Sequence, residues 1–391
     1  MKFAARMADI APFHVMELMA KAKALEAQGH DIVHMEVGEP DFPTPAPVIE
    51  AAQRFIATGN VHYTNALGIP ELREAIAGHY QSRYGVAVEP ERIIVTAGAS
   101  GALLLALGIL IDPGDEVLLS DPGYPCNRHF VRAFEGRARP IQVSAATSYQ
   151  PTVEQVAAAW SARTRALLVA TPANPTGTLL TQPQLAALRK TVRERGGALL
   201  VDEIYHGLTY GFDAETALAL GDDVFVINSF SKYFGMTGWR LGWLVAPKEC
   251  VREIEKLAQN LYISPPTPAQ HAALAAFRPD TIEILEGRRA EFAARRDVLL
   301  SGLQGLGFEV KAPPQGAFYI YADSSRLDGD SYSLAQSLVE RAGVAATPGL
   351  DFGSFAPRQH MRFAYTVARD RIEEGLARME RFFRTARQED K

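Results

Sequence analysis

The run Val224-Phe-Val-Ile-Asn-Ser-Phe-Ser-Lys-Tyr-Phe-Gly-Met-Thr-Gly-Trp-Arg240 opens on four apolar residues and passes at once into small, hydroxyl and aromatic ones, with a single lysine among them. Such a pattern reads as a buried strand that ends at a crevice. Lys232 stands just past that end. An amine there is poorly solvated, and desolvation disfavours its charged form. A neutral amine can attack a carbonyl and form a Schiff base, which is the chemistry of an aldehyde cofactor. The alternative is a strand-end lysine that reaches for water. The residues at the other strand ends decide between the two.

Outward from this run, short apolar stretches alternate with helical patterns between about residue 46 and residue 275. They are 93–96, 116–119, 166–170, 198–201, 224–228 and 242–245. Continuous Val, Ile and Leu runs separated by helices imply a mostly parallel sheet covered on both faces, with its ligand site beyond the carboxyl ends of the strands. Residues 32–37 read as a further short strand that ends in Gly38-Glu-Pro-Asp-Phe-Pro-Thr-Pro45, and this proline-rich punctuation marks a domain crossing. A long helix over 280–304, strands at 308–310, 317–322 and 361–364, a helix over 333–342 and a last helix with Ile372, Leu376, Met379 and Phe383 on one face make a smaller α+β unit. The chain ends therefore join: 46–278 as the large domain, 1–45 with 279–391 as the small one. Residues 13–28 read as an amphipathic helix with Phe13, Met16, Met19 and Leu25 on its packing face.

The strand ends carry a coherent set of polar residues. After 93–96 comes Gly98-Ala99-Ser100-Gly101, a small-residue turn opening a helix, where free amides and the helix dipole can hold a phosphate. Its spacing is neither GxGxxG nor a P-loop, and tight helix packing would also explain two glycines. Asp202 directly follows a buried run, with Tyr205 three residues on. An ionised carboxylate at that depth needs a cationic partner, which a protonated pyridine nitrogen would supply; a helix cap and a packed aromatic are the plain alternatives. Asn174, between Pro172 and Pro175, is an amide held in one place, or an ordinary loop residue. Tyr124, in Asp121-Pro-Gly-Tyr124-Pro, presents a ring that could stack on a flat cofactor or pack in its loop. Arg362 is a charge within an apolar strand, suited to bidentate carboxylate binding unless it sits at an edge.

Composition excludes several classes. Forty-five acidic against 40 basic residues leave a net charge of −5, and no basic run resembles a nucleic-acid footprint. Two cysteines without CxxC spacing argue against a disulfide framework and for a reducing, cytoplasmic setting. The histidines show no metal-ligand spacing. The longest apolar stretch, 102–111, is half a membrane span, and Glu17, Lys21 and Lys23 interrupt the first apolar segment, so neither a membrane anchor nor a signal peptide is expected.

In order along the chain, Gly38, Tyr63, Gly98-Ala-Ser, Tyr124, Asn174-Pro-Thr-Gly, Asp202, Tyr205, Ser229-Phe-Ser-Lys232 and Arg240 resemble the class I and II aminotransferases of fold type I, and the resemblance runs from Val37-Gly-Glu-Pro-Asp-Phe to Met361-Arg-Phe. It implies an α/β fold with a mostly parallel seven-stranded sheet between helices, pyridoxal 5'-phosphate as cofactor, and amino acid and 2-oxo acid substrates handled in two half-reactions. It makes Lys232 the Schiff-base lysine and proton carrier, and Asp202 the partner of the ring nitrogen. Tyr205 and Asn174 would bond the phenolic oxygen, and Tyr124 would lie on the ring face. Ala99, Ser100, Ser229 and Arg240 would hold the phosphate, with Tyr63 contributed by a second subunit of a homodimer. Gly38, Asn174 and Arg362 would receive the substrate α-carboxylate.

Where aspartate-preferring relatives carry a cation before the segment matching Tyr262-Ile-Ser-Pro-Pro266, this chain has Gln259 and Asn260. The preferred side chain is therefore expected to be neutral, aliphatic or aromatic, since a second buried carboxylate without a cation is costly. Two other activities fit the same residues: a carbon–sulfur β-lyase on the same scaffold and, more remotely, a non-catalytic cofactor-binding regulator.

Overall fold

The computed structural model describes residues 1–389. In chain order its strands are β1 (Val33–His34), β2 (Ile93–Thr96), β3 (Glu116–Asp121), β4 (Arg137–Gln142), β5 (Thr164–Ala170), β6 (Ala198–Asp202), β7 (Val224–Ser229), β8 (Gly242–Val245), β9 (Tyr319–Asp323), β10 (Val344–Ala345), β11 (Thr347–Pro348) and β12 (His360–Ala364). The large sheet has the order β2-β8-β7-β6-β5-β3-β4. Pairing is parallel from β7 through β6, β5 and β3 to β4, and only β8 runs antiparallel to its neighbours β2 and β7. All six expected strands are there.

The seventh strand, β4, had no apolar run to show it. It reads Arg-Ala-Arg-Pro-Ile-Gln, and of its side chains only Ile141 is buried. An edge strand has one solvated margin and tolerates proline, so its composition is polar. The inner strands behave as a doubly covered sheet requires. Val169, Val201 and Val226 pack into the core on one face, and Leu168, Leu200 and Ile227 into the core on the other. Helix Gly98–Leu110 belongs to the second of these layers.

The smaller sheet is antiparallel, ordered β11-β12-β9, with β1 and β10 as a separate parallel pair. Two expectations contract here. Residues 308–310 form only an isolated bridge, Glu309 to Asp323. Pro313 and Pro314 follow closely, and prolines donate nothing to a ladder. Of residues 32–37, only Val33 and His34 are strand, because the partner β10 is itself two residues long. The helices read at 280–304 and near the C-terminus are present as Pro279–Leu306 and Arg369–Glu389, and Ile372, Met379 and Phe383 are buried.

Helix His14–Glu26 turns a different face inward from the one expected. Val15, Leu18 and Ala22 are its buried residues, whereas Met16 is 54% exposed. The helix carries two apolar stripes. Spacing alone does not tell which one meets the core, and the second stripe turns out to matter at the site below.

One carboxylate ties the two sheets' loops together. Asp121, at the end of β3 and buried, accepts the N–H of Ser354 (2.9 Å), its hydroxyl (2.8 Å) and the N–H of Phe355 (3.2 Å). Asp121→Ala leaves these donors unpaired and should cost about 2–4 kcal/mol, read as a lower urea midpoint with an unchanged slope.

Candidate active site

Parallel pairing sends the carboxyl ends of β3, β5, β6 and β7 to one edge of the large sheet. Antiparallel β8 starts at that same edge, with Gly242 opposite both Ser229 and Thr96. The segments leaving these ends line a cavity of about 260 Å³. Ala99, Ser100, Tyr124, Asn174, Asp202, Tyr205, Ser229, Lys232 and Arg240 all border it, as do Gly38 and Arg362 from the other part of the chain. The sequence-predicted residues are thus brought together, with one exception. Tyr63 is 79% exposed and lies outside the cavity.

The amine of Lys232 donates to the carbonyl of Gly38 at 2.8 Å. Burial lowers its pKa from 10.5 to about 8, Glu39 opposing the shift and Arg362 and Arg240 adding to it. Asp202 is buried and accepts the N–H of Ile204 at 3.0 Å. Burial pushes its pKa up to about 6, held back by that N–H and by the charge of Lys232. This is a carboxylate short of positive charge. Tyr205 is buried, and its hydroxyl lies 3.1 Å from that of Tyr319.

Arg362 sits in the central strand of the small sheet, between Thr347 and Tyr321. It is therefore no edge charge, and it is 5% exposed. Nη1 donates to Oδ1 of Asn174 (3.0 Å), and Nη2 donates to the carbonyl of Glu36 (2.6 Å) and to the hydroxyl of Thr347 (3.3 Å). The guanidinium lies 4.2 Å from the centre of the Tyr319 ring and 4.8 Å from that of Phe352. Its Nε is buried without a partner. A guanidinium so fixed at the border of a cavity suits a carboxylate.

The first turn of helix Gly98–Leu110 has no side-chain cap and no acidic residue. Its leading amides are free to meet an anion, and the helix dipole favours one. Backbone crowding explains the glycines. A Cβ on Gly242 would stand 2.8 Å from the Gly98 carbonyl carbon and 2.9 Å from the Ala99 nitrogen, and one on Gly98 would meet Arg240 at 2.6 Å. At Gly38 it would meet the Tyr319 hydroxyl at 1.8 Å.

Several site residues had no distinct signal in the sequence. Tyr319 contacts Tyr205, Arg362 and Gly38, yet it reads as one aromatic in an apolar strand. Phe13, Val15, Met16 and Met19 form a wall of the cavity, which is where the second stripe of helix His14–Glu26 goes. Gln259 and Asn260 are exposed and do not border the cavity. Among the described residues no cluster could hold a metal ion, and no helix is long and apolar enough to cross a membrane.

The family model for aminotransferase class I and II matches residues 30–379. The chain belongs to this family. A valine–pyruvate aminotransferase of Mycobacterium tuberculosis is 39% identical over 374 residues, covering 95% of this chain and 96% of that protein. An aspartate/prephenate aminotransferase of Thermus thermophilus is 36% identical over 379 residues, covering 96% and 97%. Among solved structures, an aminotransferase from Mycobacterium tuberculosis superimposes with a TM-score of 0.94 at 38% identity, covering 98% of this chain and all of that one. The Thermus thermophilus aspartate aminotransferase with maleate gives 0.92 at 35%, covering 97% and 99%. The fold is that of the fold type I aminotransferases, and the protein is an enzyme of the transaminase type.

The lowered pKa of Lys232 sets a pH dependence. Below about 8 the amine is protonated and unreactive, and above it the amine is neutral. Borohydride trapping of an added aldehyde on the peptide containing Lys232 should rise about tenfold per pH unit up to that point and then level off. A midpoint near 10.5 would show an ordinary lysine.

Proposed function

We propose that this aminotransferase uses pyridoxal 5'-phosphate and moves the amino group of an L-amino acid with a neutral side chain to a 2-oxo acid, by a ping-pong mechanism and as a homodimer. One observation carries the reading. The weakly basic amine of Lys232 stands in a crevice that is also bordered by the cation-seeking Asp202 and by the guanidinium of Arg362, whose Nε has no partner.

The residues fit the cofactor. Lys232 would hold it covalently, and Asp202 would face the ring nitrogen and keep it protonated. Tyr205 and Asn174 would meet the phenolic oxygen, and Tyr124 the ring face. The amides of Ala99 and Ser100, the hydroxyls of Ser100 and Ser229 and the guanidinium of Arg240 would hold the phosphate. When bound, the cofactor supplies an electron-accepting ring that stabilises a carbanion. The chain supplies the rest. Arg362, Asn174 and the amide of Gly38 would bind and orient the amino acid by its carboxylate, and Nζ of Lys232 would carry the proton from the substrate α-carbon to the cofactor C4', as general base and then acid. On the same reading, residues 46–278 form the cofactor-binding domain and residues 1–45 with 279–391 the smaller one.

A dimer is supported by an exposed apolar surface. Thr267 donates to the carbonyl of His62, and Thr64 N–H to the hydroxyl of Ser264. These bonds join two segments on which Val61, Tyr63, Leu261 and Ile263 are all at least 45% exposed. A second copy covering them would bring Tyr63 to the phosphate end of the site. The free cysteines Cys126 and Cys250 fit a reducing, cytoplasmic setting.

Side-chain preference follows from the cavity's charges. Its basic residues are Lys232, Arg240 and Arg362, each already given a task, and its open wall is Phe13, Val15, Met16, Met19 and Leu103. A distal carboxylate would be buried there without a cation, which is costly. Relatives named for valine–pyruvate and for aspartate/prephenate both occur, so kinetics must decide. With pyruvate and 2-oxoglutarate as acceptors, kcat/KM for alanine, methionine or phenylalanine should exceed that for aspartate by roughly tenfold or more, an energy difference of about 1.4 kcal/mol. Met16→Arg should narrow the gap. A clear preference for aspartate in the unmodified protein would overturn the neutral-substrate reading.

Lys232→Ala should still take up the cofactor but turn over at least about a hundredfold more slowly. Asp202→Asn should weaken both uptake and rate. Normal single-turnover conversion by Lys232→Ala at saturating amino acid would contradict the assigned role.

A further inference from the structure

Strand β6 runs into two adjacent carboxylates with different surroundings. Asp202 borders the cavity, and so do Ile204 and Tyr205, but Glu203 does not. Its N–H donates to the carbonyl of Ile227 at 2.8 Å, and its side chain is wholly buried away from the site. Oε1 accepts the N–H of Ala217 at 2.7 Å and the hydroxyl of Thr216 at 3.1 Å. Oε2 accepts the same hydroxyl at 2.9 Å and stands 3.4 Å from Nδ1 of His206. One carboxylate thus touches both ends of the turn 203–217, and Tyr205 lies at the start of that turn, next to His206.

This placement is costly to maintain. Tyr80, Tyr84 and His206 surround the group and are themselves buried or nearly so, and burial holds His206 neutral, its pKa lowered to about 3. Burial also raises the pKa of Glu203 to about 8, against the pull of Ala217 and Thr216. An apolar side chain of similar size would fill the space without such a penalty. What it could not do is accept from Ala217 and Thr216 together. The far part of the turn has its own ties, from Tyr210 N–H to Gln315 (3.0 Å) and from Ala317 N–H to Leu208 (2.9 Å). Those bonds anchor it to the segment before β9. Glu203 anchors it to β6, the strand that carries Asp202.

We propose that Glu203 is a positioning residue for Tyr205. By tying residues 216 and 217 back to the end of β6, its carboxylate closes the turn that begins with Tyr205 and fixes the phenol relative to Asp202, so that one ring can meet both groups at once. The proposal rests on the cofactor reading given above, in which Tyr205 bonds the phenolic oxygen and Asp202 the ring nitrogen.

The test uses the protein loaded with pyridoxal 5'-phosphate and reads the pH midpoint of its visible absorbance, together with a thermal melt. Tyr205→Phe should move the midpoint by about one pH unit, the size of one hydrogen bond to a charged oxygen. Glu203→Ala should move it in the same direction by at least half as much. In the double variant the shift should be no larger than in Tyr205→Phe alone, because both changes remove the same contact. Glu203→Gln, which keeps an acceptor for Ala217, should stay near the wild type. Thr216→Val attacks the clamp from its other end without touching β6, and decides the matter if Glu203→Ala does not fold: its shift should appear when Tyr205 is kept and vanish when it is combined with Tyr205→Phe. Additive shifts, or a wild-type midpoint in a folded Glu203→Ala or Thr216→Val protein, would overturn the proposal while the cofactor reading stands. A wild type that takes up no cofactor on Lys232 would overturn both.

Discussion

Parallel strand pairing is the constraint on which the rest of this molecule depends. A parallel ladder aligns carboxyl ends, so β3, β5, β6 and β7 deliver Tyr124, Asn174, Asp202 and Lys232 to a common edge although the residues are scattered over more than a hundred positions of sequence. The one antiparallel member, β8, does not break this rule. Its start lies at the same edge, which is how Arg240, just before it, comes to face the turn at Gly98. The strands can then stay largely apolar, with the polar residues gathered at their carboxyl ends.

Burial and charge are matched at that edge. The same desolvation that lowers the proton affinity of Lys232 raises that of Asp202, so a base and an acid of ordinary type are brought toward neutral pH from opposite sides. Neither needs an exotic environment. Both need only to lie at the ends of strands buried on both faces, with few counter-charges close by.

The small sheet contributes by the opposite means. Arg362 is pinned inside a three-stranded antiparallel sheet by Asn174, Glu36, Thr347 and two aromatic faces, with one nitrogen left over. Its bond to Asn174 crosses from one sheet's territory to the other's, as does that of Lys232 to Gly38. Beside this framework, the helix His14–Glu26 offers Phe13, Met16 and Met19 to the same cavity, so a segment near the chain's start helps shape a site whose chemistry is encoded two hundred residues later.

Much of this is legible in the linear order of residues, because the inner strands are short apolar runs that local composition exposes, and because Lys232, Asp202, Asn174 and Arg362 each break such a pattern at a strand end or within a strand. Local chemistry settles which residues are buried in a doubly covered sheet and which polar groups stand at its margin. It does not settle choices between equivalent surfaces or partners. The polar edge strand β4, the outward stripe of helix His14–Glu26, the central place of Arg362 and the contacts of Tyr319 and Glu203 depend on what packs opposite. An arginine within an apolar strand looks the same in sequence whether that strand is central or at an edge, and a helix with two apolar stripes can bury either. Only the three-dimensional packing, where each face must meet a particular neighbour, removes that degeneracy.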